Sequence, residues 1–199
     1  MTPGFGRLRR DDLLKASCEV IAAQGFGHTR TIDIARAAGV SQALLFYHFE
    51  TKDRLFAEAF AYAARRHMES LAAVEHSPKP PLDRLRALLR LSSPTASPEG
   101  WRLWIDAWAE SMRNKDLQRT SRRLDVQSRQ VMQSIIEAGV AAGDFTCPDP
   151  EGATWRIFAL GDGLAIQMNV HGRVLPRRRV TELVKTAAAR ELGLSADDL

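Results

Sequence analysis

Apolar residues recur at three- and four-residue spacing along almost the whole chain, and no run of β-branched residues alternates with period two. The pattern predicts an all-α protein. Leu14, Cys18 and Ile21 fall on one helical face after Asp11 or Asp12 as N-cap, and Gly25 closes this first helix. A short helix over roughly 32–38 follows, capped by Thr29 or Thr31 and ended by Gly39. Another opens after Ser41 and carries "QALLFYH". Thr51 caps a much longer helix with Leu55, Phe56, Ala59, Phe60, Ala63, Met68 and Leu71 as apolar positions, until "HSPKPP" breaks it.

Beyond that break, Leu82, Leu85, Leu88 and Leu89 mark a short amphipathic helix, and "SSPTASPEG" is a connector in which Ser97 and Pro98 start the next one. Trp101, Trp104, Ile105, Trp108 and Met112 define that helix. Leu117, Leu124, Val131, Ile135 and Ala138 run along a longer one that stops near Gly143. Phe158, Leu160, Leu164, Ala165 and Met168 mark another, and "VTELVKTAAAREL" closes the chain. No internal repeat is present. The plan is a helical head over 1–50, a connecting helix over 51–75, and a larger helical body over 76–199.

Composition narrows the class. A hydrophobic fraction of 45% suits a folded globular protein. The formal charge of +4 permits a polyanionic partner without requiring one, so the position of the charge decides. Cys18 and Cys147 stand far apart and offer neither a disulfide framework nor a paired metal site, which fits a reducing cytoplasm. No apolar run approaches the roughly 20 residues that cross a bilayer, and "MTPGFGRLRR" lacks a signal-peptide core, so no membrane partner is expected. The five histidines lie apart, there is no Gly-x-Ser-x-Gly elbow, and "GFG" and "GDG" lack the rest of a nucleotide loop. The expectation is a protein that is not an enzyme and holds no cofactor or metal.

Two short helices joined by the glycine-containing "AGVS" describe a helix-turn-helix, whose second helix can enter a DNA major groove. Gly25, Phe26, Thr29, Asp33-Ile34-Ala35, Ala38-Gly39-Val40-Ser41, Phe49, Thr51-Lys52-Asp53 and Leu55 together resemble the N-terminal domain of the tetracycline-repressor (TetR) family, over about residues 8–60. The resemblance implies that three helices bind DNA, a fourth connects them to a C-terminal domain, and a dimer reads a palindromic operator.

Within the motif, Ile34, Ala35, Val40, Leu45 and Phe49 are spaced to pack the helices together. Ser41, Gln42, Ala43, Leu44, Tyr47 and His48 correspond to the family's DNA-facing positions. Gln42 can hydrogen-bond a base edge and Leu44 can touch a thymine methyl; Tyr47, His48 and Lys52 suit phosphates. The alternative is that Tyr47 and His48 only cap the packing edge and that Lys52 is merely solvated. Arg30, where the family commonly has a small hydroxyl residue, is either a phosphate contact or a solvated cap. Phe46 stands where a phosphate-binding tyrosine is common and is expected to turn inward with Leu45 and Phe49. "RLRR" at Arg7–Arg10 is either an arm that reaches DNA or an unattached basic tail.

In the body, "W101-x-x-W104", "W108-A-E110-S-M112-R", "G143-D-F145" and "D162-G163-L164" resemble one branch of the same family, that of the choline-responsive betaine-synthesis repressor. The tryptophan stripe is read as core or as pocket. The resemblance implies a small effector bound in the body, with Trp104, Trp108, Met112, Phe158 and Met168 as candidate lining and Asp106, Glu110 or Asp162 as partners for a cation. It also implies a homodimer through the last two long helices, roughly 150–171 and 180–192. "PRRR" at Pro176–Arg179 reads as a solvated loop, and Asp162 as an interface or packing residue. The function expected is a ligand-responsive repressor released from its operator by the effector; the alternative is a small-molecule-binding protein with impaired DNA binding.

Overall fold

A computed structural model of the chain describes residues 10–172 and 174–199. Among these the elements are helices α1 (Arg10–Gln24), α2 (Thr31–Ala38), α3 (Gln42–Phe49), α4 (Lys52–Glu75), α5 (Pro81–Leu91), α6 (Pro98–Ser111), α7 (Lys115–Ala142), α8 (Pro150–Val170) and α9 (Arg177–Leu192), with a last 3-10 turn at Ala196–Asp198. No helix among the described residues is long and apolar enough to cross a membrane. The helical pattern read from sequence stands, with three local differences. Asp11 and Asp12, expected as alternative N-caps of the first helix, already lie inside α1. The N-cap of α2 is Arg30, which makes no side-chain cap bond; Thr29 is buried and donates its hydroxyl to the Gly25 carbonyl at 2.7 Å, and Thr31 is already in the helix. "PRRR" is no loop: Pro176 is the N-cap of α9 and the three arginines form its first turn. Three cations oppose the positive end of the helix, and Glu182 offsets this by pairing with Arg178 and Arg179.

The chain divides into two compact units. The first comprises residues up to Arg65 together with Leu103–Leu124, so the described head gains part of α6 and the start of α7 beyond the 1–50 segment. Its core is built by Leu13, Ile21, Phe26, Ile34, Leu45, Phe49, Leu55, Phe56 and Phe60, all almost fully buried. Phe26 meets Phe56 edge-on at 5.4 Å and Phe60 at 6.4 Å between ring centroids. Burial of each such ring contributes about 1.5–3 kcal/mol, enough to hold three short helices that would not persist alone.

The second unit holds Arg66–Arg102 and Asp125–Leu199. Leu71, Leu85, Leu88, Val131, Met132, Ile135, Ile136, Ala153, Ile157, Ala188, Ala189 and Leu192 make its core. Asp149 caps α8 by accepting the Gly152 N–H at 2.9 Å, and Pro150 occupies the first helical position, where its missing N–H costs nothing.

Candidate nucleic-acid interface

The turn between α2 and α3 is set by Gly39, whose φ of 66° lies in the left-handed region that a side chain disfavours. A Cβ there would meet nothing within 4 Å, so backbone conformation and not space selects glycine. The Val40 N–H closes the end of α2 on the Ala35 carbonyl at 2.9 Å. Ser41 then caps α3, its hydroxyl accepting the Leu44 N–H at 3.2 Å. Leu45 and Phe49, one turn apart, are fully buried and fix which way the eight-residue helix faces.

With that face buried, Ala43, Leu44, Phe46 and Tyr47 point away from the core. Tyr47 is 80% exposed, its phenol free of the core, and its ring lies edge-on to His48 at 5.4 Å. His48 is half-buried, 6.2 Å from the Phe49 ring. Phe46 corrects the sequence reading: it is 39% exposed and does not turn inward with Leu45 and Phe49. One residue is about 100° of helix, so a neighbour of Leu45 falls at the rim of the stripe that Leu45 and Phe49 define. Gln42 is half-buried, and its Nε2 donates to the Thr31 hydroxyl at 2.8 Å.

Thr51 caps α4 by accepting the Arg54 N–H at 3.1 Å, and Lys52, first in that helix, is exposed with its Nζ 4.8 Å above the Phe56 ring. Among the described residues neither Lys52 nor Arg30 has a carboxylate partner, whereas Arg36 pairs with Asp33, Arg54 with Glu50 and Glu58, and Arg10 with Glu58. In sequence, Arg30 stands just ahead of α2 and Lys52 just after the α3–α4 turn. Arg7, Leu8 and Arg9 of the basic "RLRR" lie outside the described residues; Arg10 starts α1 with its guanidinium over the Phe49 ring at 4.9 Å.

One anchor of this head lies far from it in sequence. Asp106 of α6, expected only as a partner for a cation, accepts the backbone N–H of Phe26 through Oδ2 at 2.7 Å. It thereby holds the loop that carries Thr29 and Arg30 into α2. Gly25, with φ 78°, would place a Cβ 3.2 Å from the same oxygen. Nearby, the Asn114 amide donates to the Asp53 carbonyl at 3.4 Å while its Oδ1 accepts the Leu117 N–H at 2.8 Å. No local sequence signal marks contacts made across 80 and 61 residues.

The candidate effector residues separate between the two units. In the first, Trp104 meets Phe60 edge-on at 4.9 Å and Trp108 at 6.1 Å, both half-buried. Met112 is 72% exposed: α6 ends at Ser111, so residue 112 leaves the helical face shared with Trp108 and does not line an apolar cavity. In the second unit Phe158 packs on the core and Met168 is half-buried, while Trp101 is pinned by its Nε1 to the Ser93 carbonyl at 3.0 Å. That unit also has an open cleft of about 540 Å³ lined by His67, Ser70, Val74, Ala87, Arg90 and Leu91, with none of the five expected residues in it.

On α8, Trp155, Ala159, Gly163, Ile166 and Val170 form an exposed stripe at helical spacing. The Arg129 guanidinium stacks 4.0 Å from the Trp155 ring centroid. Asp162 lies beside this stripe, and burial, with the Asp125 charge adding to it against Arg129, pushes its carboxyl up to about 6.

Residues 13–59 match the family of bacterial regulatory proteins of the tetR type, and residues 81–193 match the C-terminal part of BetI-type transcriptional repressors. The HTH-type transcriptional regulator BetI of Rhizobium meliloti is 29% identical over 171 residues, covering 84% of this chain and 81% of its own. The regulator of the same name from Escherichia coli K12 is 24% identical, covering 92% and 93%. Among solved structures, a putative transcriptional regulator from Saccharomonospora viridis in complex with choline superposes with a TM-score of 0.81 at 25% identity, over 92% of this chain and 96% of that one. A TetR transcription regulator from Haloarcula marismortui shares the fold with a TM-score of 0.81 at 22% identity, over 92% and 97%.

Proposed function

Since the chain belongs to the tetR family of bacterial regulators, with a C-terminal part of the BetI repressor type, we propose that it is a homodimeric repressor that a small cationic effector releases from a palindromic operator. Regulators of this family bind DNA operators and small-molecule effectors. The observation that carries the DNA-binding part of the reading is α3, which buries Leu45 and Phe49 and leaves Ala43, Leu44, Phe46 and Tyr47 outside, with Arg30 ahead of α2 and Lys52 after the α3–α4 turn free of carboxylate partners among the described residues. Gln42, Ala43 and Leu44 read bases; Arg30, Ser41, Tyr47, His48 and Lys52 meet phosphates. Phe46 offers its exposed ring to sugars or a thymine methyl, and Tyr47 supplies the hydroxyl that Phe46 lacks.

In this assignment residues 1–50 read DNA, 51–75 connect, and 76–199 hold the effector and the dimer seam. The apolar α8 stripe supports a seam through α8 and α9, because one self-complementary face repeated by two-fold symmetry covers it and matches an operator palindrome. Trp104 and Trp108 supply aromatic faces for a quaternary ammonium such as choline, the ligand of the Saccharomonospora viridis protein. Release requires the effector to prefer the conformation that does not bind DNA; a preference of about 2 kcal/mol weakens the operator complex roughly thirtyfold. A mobility-shift titration on the DNA upstream of its own gene, with and without choline, tests both halves. Salt-dependent retention that choline weakens supports the reading; no retention at low salt removes the DNA-binding half, and retention indifferent to choline removes the choice of effector.

A further inference from the structure

Residues 10–65 hold seven Lys or Arg and seven Asp or Glu, so the segment that carries the recognition helix has no net charge of its own. A DNA duplex presents one phosphate charge per about 1.7 Å of its axis, and binding to it gains from cations that displace counterions. The positive excess of the described first unit lies at the start of α7. There "RNKDLQRTSRR", residues 113–123, sets five cations against Asp116 alone, an excess equal to the +4 of the whole chain.

The acids on this stretch are already used. Arg113 pairs with Glu110 and Arg119 with Asp116. Lys115, Arg122 and Arg123 have no carboxylate partner among the described residues; the Lys115 ammonium donates to the Gln118 amide oxygen at 3.2 Å. Lys115, Arg119 and Arg122, four and three residues apart, form one exposed stripe on the side of α7 away from the buried Leu117, Ser121 and Leu124.

The stripe begins beside the first turn of α4. Asn114 caps α7 through Oδ1, which accepts the Leu117 N–H at 2.8 Å, and its amide donates to the Asp53 carbonyl at 3.4 Å. Lys115 and Lys52 each follow or precede one partner of that bond, so their Cα atoms lie at most roughly 17 Å apart.

We propose that the start of α7 is an accessory surface for the backbone of double-stranded DNA: Lys115 and Arg122 meet phosphates beyond the one taken by Lys52 and supply charge that residues 10–65 lack. The inference rests on the reading of α3 as the recognition helix and adds a contact outside the three-helix head. Its occupant is the sugar-phosphate backbone and not base edges, because Lys and Arg ends on an outward face, with no polar neighbour fixing a bidentate geometry, follow phosphates of any sequence.

Anisotropy titration of the full-length protein tests this, on the duplex upstream of its own gene and on a scrambled duplex, between about 50 and about 200 mM salt. Lys115→Gln/Arg122→Gln should reduce the slope of log affinity against log salt by about two on both duplexes, so that the advantage of wild type shrinks about tenfold over that range. The preference for one duplex over the other should stay as in wild type. Lys115→Arg/Arg122→Lys keeps the charges and should bind as wild type does. Lys79→Gln/Arg90→Gln removes the same charge from exposed positions of the second unit and should leave the slope unchanged. An unchanged slope in the α7 variant overturns the proposal, and so does an equal fall in the Lys79 and Arg90 variant, which would make the effect one of net charge without contact. An altered preference between the duplexes overturns it as well. A wild-type protein that binds neither duplex overturns it together with the DNA-binding reading, whereas a slope that falls with Lys52→Ala and not with the α7 variant overturns this inference alone.

Discussion

Removing the Asp106 carboxylate should loosen the reading head from a site 80 residues away in sequence. Its Oδ2 accepts the Phe26 N–H at 2.7 Å, beside a phenylalanine ring that is fully buried. A hydrogen bond to a charged acceptor is worth about 1.5–3 kcal/mol, and truncating the acceptor leaves an enclosed donor unpaired, so Asp106→Ala should cost about 2 kcal/mol. For a chain of this length that lowers the melting temperature by roughly 4–8 °C. Asp106→Asn keeps a neutral acceptor and should lose about half as much. Gly25→Ala is strained by its φ of 78°, at about 1–2 kcal/mol, and sets its Cβ 3.2 Å from the same carboxylate. Combined with Asp106→Ala, the second contribution disappears, and the double variant should be less destabilised than the sum of the two singles. Urea unfolding of the four proteins, read by tryptophan fluorescence, gives the cycle. An Asp106→Ala protein within about 0.5 kcal/mol of wild type, the range of an ordinary surface change, would refute the reasoning.

Three further outcomes follow from the same geometry. Lys52→Ala should weaken binding to every duplex by a similar factor and reduce the slope of log affinity against log salt by about one, because Lys52 would neutralise a phosphate without reading a base; a change in base preference in a selection experiment argues against that role. Trp155→Glu places a charge twice on the α8 stripe and should raise the dimer dissociation constant by about thirtyfold or more, measured by sedimentation, while a dimer of unaltered stability would move the seam elsewhere. Asp162 has its carboxyl pushed up to about 6 from an ordinary 3.8, so the folded state holds this proton to higher pH than the unfolded chain does. Stability from this group is therefore present below about 4 and lost as pH rises through about 6. Asp162→Asn should be the more stable protein by about 3 kcal/mol at pH 7.5 and gain little at pH 4, and an equal gain at both pH values contradicts the assignment.

Much of the head could be read from sequence because its signals are local. Gly25 and Gly39 end helices through their own backbone freedom, and Ser41 and Thr51 cap through bonds to residues three positions on. The core pair Leu45 and Phe49 needs only the helical repeat to be found. The misreadings arise where a residue has two uses of similar energy. Thr29 and Thr31 look like caps, but Thr29 bonds back to Gly25 and Thr31 engages Gln42, leaving the cap position to Arg30. Phe46 has a core residue's chemistry on an edge position of a two-turn helix. Three consecutive arginines read as a loop because they oppose the helix dipole, and Glu182 compensates from the next turn. Asp106 and Asn114 were out of reach for a different reason, since their partners become neighbours only after the chain has folded.

In the function proposed above, α3 reads a particular DNA sequence in a two-fold symmetric arrangement. The most direct measurement is a nuclease-protection footprint of the full-length protein over the DNA upstream of its own gene, beside a scrambled duplex of the same composition. Expected is one protected palindrome at a protein concentration at least about a thousandfold below that which protects the scrambled duplex. Equal, patternless protection of both duplexes would contradict the account.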